Sequence, residues 1–174
     1  VLVSMDLHCG WVNSRAATLL GVRPDELGLV REAQWMDGLA RLDALAPPSI
    51  EDVIAAERLA VSHGVVGIVD MEKADNVSIW RERFRAGANL LRVEASIWPA
   101  WLDQAIAQGL HTGDPLDDSG RLTVGPLKII VDGSLNTRSA FCWDRYPDSA
   151  AAEHPFGVLS VPEDELRRLL VKAK

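Results

Sequence analysis

Val65-Val66-Gly67-Ile68-Val69-Asp70 is the stretch on which the fold turns: a short, apolar, β-branched run that ends on an acidic residue. Such a run reads as a buried parallel strand. The residues before it supply the helix that a parallel crossover needs. Ser49 follows Pro47 and Pro48 as an N-cap, and Asp52 completes a capping box. Val53, Ile54, Leu59 and Ala60 give this helix one apolar face, and Gly64 closes it where left-handed geometry is wanted.

The same logic then repeats along the chain. Asp75 or Asn76 caps a helix through Trp80 and Phe84, Gly87 stops it, and residues 90–98 read as a strand. Pro99 opens the next helix, which runs through Leu102 and Ile106 to Gly109. After a polar loop at 111–120, residues 122–132 supply another strand, interrupted near Gly125-Pro126. Residues 163–174 read as a final helix. Helices alternating with apolar strands imply an α/β protein with a parallel sheet, either doubly wound or a (β/α) barrel.

Residues 1–46 do not follow this alternation. They read as a separate lobe: a strand from Val1, a short helix around residues 15–20, then a loop. Residues 47–174 carry about three βα units and a long polar loop at 133–161, of the kind that serves as a functional loop, a lid or a disordered segment. The chain opens as though a strand were already under way and stops on an unclosed helix, so the expectation is an internal fragment.

The totals exclude several classes. With 174 residues, 48% hydrophobic and 25% charged, the composition is that of a globular protein. A net charge of -7 argues against nucleic acid or a membrane surface as partner, since both favour basic patches. No apolar run approaches the roughly 18 residues of a membrane span, and no signal peptide opens the chain. Cys9 and Cys142 form no metal-ligand spacing. A reduced, cytoplasmic setting is expected.

In parallel α/β architectures the catalytic groups sit at the carboxyl ends of strands. That rule selects Asp70, Glu72, Glu94, Ser96, Trp98, Lys128, Asp132 and Ser134. Lys128 is the most unusual, lying inside Leu127-Lys128-Ile129-Ile130-Val131. A buried lysine needs a carboxylate partner, a shifted pKa or a modification. By strand alternation it shares a face with Asp132, which fits either a site or a structural ion pair. Asp132-Gly133-Ser134 also has the composition of a tight turn. His8, His63, His111 and His154 form no HxH or HExxH pattern, and His63 suits a helix C-terminus. His8 lies in a dense polar and aromatic stretch with Trp11 and Asn13, where Asn13 or Ser14 can cap a helix. Cys9 adjoins His8, but neighbouring strand residues face opposite ways, so a thiol nucleophile is disfavoured.

Four segments, taken in order, resemble a known family. Residues 6–16 match D-x-H-x-x-W-x-N-S-x-A; residues 64–70 match G-V-T-G-I-x-D, with Val66 at the threonine position. Residues 125–135 match G-P-x-K-x-x-x-D-G-S-L, followed by Asn136-Thr137-Arg138-Ser139-Ala140 and Tyr146-Pro147. Gly157-Val158-Leu159 then precedes a helix. This pattern is similar to the amidohydrolase superfamily, in the family-three branch that includes N-substituted formamide deformylases.

The resemblance implies a (β/α)8 TIM barrel of the metal-dependent hydrolase type, here partial, with residues 1–46 in an inserted lobe that helps form the substrate pocket. It implies that Lys128 is a metal ligand when carboxylated, because carboxylation turns a costly ammonium into an anion with a cation partner. Metal-bound water would then attack an amide or formamide C–N bond. His8, Trp11, Asn13, Trp98, Asp132 and Ser134 are the substrate-pocket candidates. The implied cofactor is a divalent metal, zinc being the expected one, and the implied partner is a small amide-like substrate. The family's HxH pair, later histidines and final aspartate are missing from these residues. The isolated chain is therefore expected to be inactive and to bind no metal, and a homodimer is expected from exposed sheet edges. The alternative is a non-catalytic binding or regulatory module on the same scaffold.

Overall fold

The computed structural model describes residues 1–147 and 154–174. The predicted loop at 133–161 therefore lies partly outside the described residues. The chain divides into two compact units: residues 1–47 with 130–162, and residues 48–129 with 163–174.

In the first unit, β1 (Leu2–Val3), β2 (Cys9–Trp11) and β3 (Leu29–Arg31) form an antiparallel sheet in that order. Helix α1 (Ser14–Leu20) starts where Asn13 accepts the Ala16 amide at 2.9 Å, the cap that a short polar side chain provides to an orphan N–H. Helix α2 (Glu32–Leu45) follows β3 directly. The sequence led us to expect a loop here. The helix is easy to miss because only Trp35 and Gly38 along it are fully buried, too few to mark a face. Trp35 carries the core of this unit: it is 0% exposed and packs with Leu20, Val22 and Val30. Its indole N–H donates to the Leu7 carbonyl at 2.9 Å, satisfying the polar edge of the buried ring. Gly10 lies under that ring, and a Cβ there would sit 2.3 Å from a ring carbon.

The segment 130–162 also belongs to this unit. Its described residues have little regular structure, and its ends are drawn together by a bridge between Asp132 and Leu159 and by Ser160 N–H donating to Val131 O at 2.8 Å.

The second unit is built from βα passages. Helix α3 (Ile50–Ser62) has the expected capping box, with Ser49 and Asp52 exchanging side chain to backbone hydrogen bonds. Strands β4 (Gly67–Asp70), β5 (Arg92–Ile97) and β6 (Leu122–Leu127) form a parallel sheet in sequence order. Helix α4 (Asn76–Arg85) is capped by Asp75, and α5 (Pro99–Ala107) starts on its proline. Val93, Ala95, Leu122 and Val124 on the sheet pack with Trp80 of α4 and Leu169 of α6 (Glu163–Lys172). Gly125 lets the two strands close up, since a Cβ there would meet the Ala95 and Ser96 backbones at 2.9 Å.

Two expectations change here. β4 is not buried: Ile68 and Val69, on opposite faces, are 36% and 46% exposed, and among the described residues the strand pairs with β5 on one edge and with no strand on the other. β6 ends at Leu127, so Lys128 follows the strand instead of lying within it and is half-buried. No helix is long and apolar enough to cross a membrane among the described residues.

Candidate functional site

The most elaborate polar arrangement in the chain lies in the first unit, around Glu32. Ser139 Oγ is 3.1 Å from Glu32 Oε1, 2.8 Å from Thr137 Oγ1 and 3.0 Å from the Ser134 amide nitrogen. Thr137 Oγ1 is in turn 2.7 Å from Ser134 Oγ. A carboxylate only accepts, so the single proton of Ser139 goes to Glu32. The single Thr137 proton then goes to Ser139 Oγ or, at 3.3 Å, to the Ser134 carbonyl, and Ser134 Oγ donates to Thr137. With Thr137 donating to Ser139 the three hydroxyls point one way, toward the carboxylate, and aligned bonds of this kind reinforce one another. On its other side Glu32 Oε2 lies 3.4 Å from His8 Nδ1, an ion pair whenever His8 is protonated.

This network lines a cavity of about 580 Å³, with Glu32, Thr137, Arg138, Ser139, Tyr146 and His154 among its walls. Among the described residues, three non-glycine residues have positive φ, and two of them, Glu32 (47°) and Arg138 (60°), are in this wall. Each such residue costs about 1–3 kcal/mol and persists only where its surroundings hold it, which makes ligand sites their usual place. The third, Leu7 (φ 63°), supplies the carbonyl that holds Trp35.

Neighbouring groups fix the loops. Asp6 accepts from the Ser4 hydroxyl at 2.6 Å, the Asn136 amide at 3.2 Å and the His8 N–H at 3.2 Å, and these donors, Ser4 first, pull its carboxyl down to about 2. Asp132 Oδ2 accepts the Phe141 N–H at 3.0 Å. Tyr146 donates to the Ala140 carbonyl at 2.8 Å and accepts from the Cys142 thiol at 3.4 Å. Contact with Cys142, whose sulfur as an anion favours the protonated phenol, then burial and the charges of Cys142 and Asp132, push the Tyr146 phenol up to about 12. A raised acid pKa favours the neutral folded form, so this stabilisation is complete below the ordinary value of 10.0 and disappears as pH rises from there to about 12. Because Tyr146 is the only tyrosine, tyrosinate absorbance reads it alone. The folded protein should titrate near 12, and Cys142→Ala should bring the midpoint down toward the ordinary value. An unchanged midpoint in the variant would show that the thiol is not the cause.

The sequence-selected residues separate between the two units. His8 and Ser134 are the two ends of the chain of hydrogen bonds through Glu32. Asp132 holds backbone nearby, Asn13 caps α1, and Trp11 ends β2 with its side chain 43% exposed. In the second unit Trp98 is buried at the end of β5 and donates to the Met71 carbonyl at 3.2 Å. Asp70 accepts from the Glu72 amide and the Trp80 indole, which makes it a turn and packing residue. Glu94 is exposed, and Ser96 Oγ is buried without a hydrogen-bond partner. Lys128 donates its backbone N–H to Ile97 O at 2.8 Å, and among the described residues no carboxylate pairs with its ammonium. Sequence reasoning missed Glu32 as a site residue. It follows Arg31 at a helix start, where a glutamate is ordinary, and its partners lie 24 and 107 residues away.

No group of three or more His, Cys, Asp or Glu side chains among the described residues could hold a metal ion.

No protein-family model and no curated protein matches the chain. Solved structures do. An uncharacterized metal-dependent hydrolase from Pyrococcus horikoshii OT3 superimposes with a TM-score of 0.67 and 25% identity, over 97% of this chain and 35% of that one. An uncharacterized metal-dependent hydrolase from Pyrococcus furiosus gives 0.65 and 24%, over 97% and 36%. The chain therefore spans about a third of the length of these structures. What it shares with them is a mixed α/β fold with a parallel sheet, found within metal-dependent hydrolases.

Proposed function

We propose that this chain is part of a metal-dependent hydrolase of the amidohydrolase kind, acting on a non-peptide C–N bond such as that of an amide or formamide. The supporting observation is the likeness of nearly the whole chain, 97% of it, to one stretch of a metal-dependent hydrolase. In this reading β4, β5 and β6 are consecutive strands of a (β/α)8 barrel, and Lys128, directly after β6, is a carboxylated metal ligand. Residues 1–46 are part of an inserted substrate-pocket lobe, and the pocket candidates are His8, Trp11, Asn13, Trp98, Asp132 and Ser134. The protein works in the cytoplasm, and the open edge of β4 favours self-association.

The residues present do not make a metal site on their own, since Lys128 has no companion ligands among the described residues. The divalent metal, zinc in this reading, needs donors beyond the described residues. Taken alone, the chain is expected to hold no stoichiometric zinc and to leave N-formylbenzylamine intact. The longer protein that carries it should bind zinc and hydrolyse this compound. Lys128→Ala should then reduce turnover by more than the roughly 10–100-fold that loss of an outer-shell partner costs. Undiminished turnover in that variant would refute the role of Lys128. The same lack of a ligand group favours a second reading, a non-catalytic binding module on this scaffold; it requires that the longer protein bind no zinc.

A further inference from the structure

We infer that the cavity beside Glu32 binds the protonated amine of a small molecule. This goes beyond the hydrolase reading and does not need it.

The inference follows from counting donors and acceptors on the wall. Ser139 and Thr137 each have one proton: that of Ser139 is spent on Glu32, and that of Thr137 on Ser139 or on the Ser134 carbonyl. The Tyr146 hydroxyl proton is spent on Ala140 O. What this side of the cavity offers is therefore acceptors: the remaining lone pairs of the Glu32 carboxylate and of Thr137 Oγ1. A ligand meeting it must bring donors, and a positive charge among them adds the strength of a charge-assisted bond. Arg138 is the opposing charge on the wall, and its guanidinium is turned to the Pro147 carbonyl, to which it donates at 3.0 Å. Ala33, Gly133 and Val158 add small or apolar surface, which suits the carbon body of an amine, and His154 and Ser160 are the further polar residues of the lining. Ser139 and His8 hold the Glu32 carboxylate, and the Pro147 carbonyl holds Arg138, before any ligand arrives. A preformed carboxylate of this kind needs little reorganisation on binding.

The test is calorimetric titration of the chain with benzylammonium, benzyl alcohol and benzoate, which share one ring and differ in charge. Benzylammonium should bind at least about tenfold more tightly than benzyl alcohol, in keeping with an ion contributing more than a neutral hydrogen bond. Benzoate should bind more weakly than either. Glu32→Gln keeps the shape and removes the charge, and should cost about tenfold or more in benzylammonium affinity. Thr137→Val keeps the carboxylate but breaks the hydroxyl chain, so it should cost only a few-fold and serves if Glu32→Gln does not fold. Arg138→Ala should leave benzylammonium binding intact or strengthen it. Preference for benzoate, binding lost with Arg138→Ala but not with Glu32→Gln, or binding of no probe by the folded wild type would each overturn the assignment.

Discussion

Trp35→Ala is expected to destabilise the first unit by about 3–5 kcal/mol, the range for removing a large buried aromatic. A domain is stable by only about 5–15 kcal/mol, so the unit should be left marginal or unfolded. Trp35 is fully buried and packs with Leu20, Val22 and Val30. Its indole N–H fixes the Leu7 carbonyl, and Gly10 is small because the ring occupies the space of a side chain there. Amide exchange is the measurement that localises the effect. Protection should fall at β2, β3 and α1 while that of β5 persists. Near-native protection across β2 and β3 would show that Trp35 does not carry this core.

Gly157→Ala should be nearly as damaging, for a different reason. Gly157 has φ +83°, where an alanine loses roughly 1–2 kcal/mol to steric conflict of its Cβ. The added Cβ would also lie 2.0 Å from Ala140 O and 2.8 Å from Ser139 O. These are backbone atoms, which cannot turn aside as a side chain tip can, and overpacking of this sort costs about 1–3 kcal/mol. The strain falls on the residues that hold the cavity, because Val158 N–H donates to Ser139 O at 2.9 Å while Ser139 Oγ reaches Glu32. A total loss of about 3 kcal/mol follows from adding the two contributions, together with loss of benzylammonium binding. Urea unfolding with an unshifted midpoint would show that the loop absorbs the methyl group freely.

What the sequence reveals and what it hides divide along a physical line. Features fixed by local chemistry are legible in it. The Ser49–Asp52 capping box, the Asp75 cap, Pro99 at the start of α5 and the positive φ of Gly64, Gly87 and Gly109 all follow from neighbouring residues. The parallel pairing of β4, β5 and β6 follows from the alternation of helix and strand. Features set by distant contacts are not legible. The apolar content of Ile68 and Val69 does not say how many neighbours β4 has. Beyond Leu127 the apolar run continues, but after the bond from Lys128 N–H to Ile97 O the regular pairing ends. The site shows the same division. His8 and Ser134 stand out by their company in the sequence, whereas Glu32 acquires its role only when segments some hundred residues apart meet at Ser139.

Each unit is assembled from two separate stretches of chain, and this bears on how the protein is made. Residues 1–47 cannot finish folding until 130–162 have been synthesised, a delay on the order of ten seconds at typical rates of translation. The sheet of the second unit waits longer still for Leu169, which completes its core. Trp35 and its partners Leu20, Val22 and Val30 all lie in the first stretch and can meet early, whereas Glu32 gains Ser139, and the sheet gains Leu169, only once the second stretch of each unit has emerged.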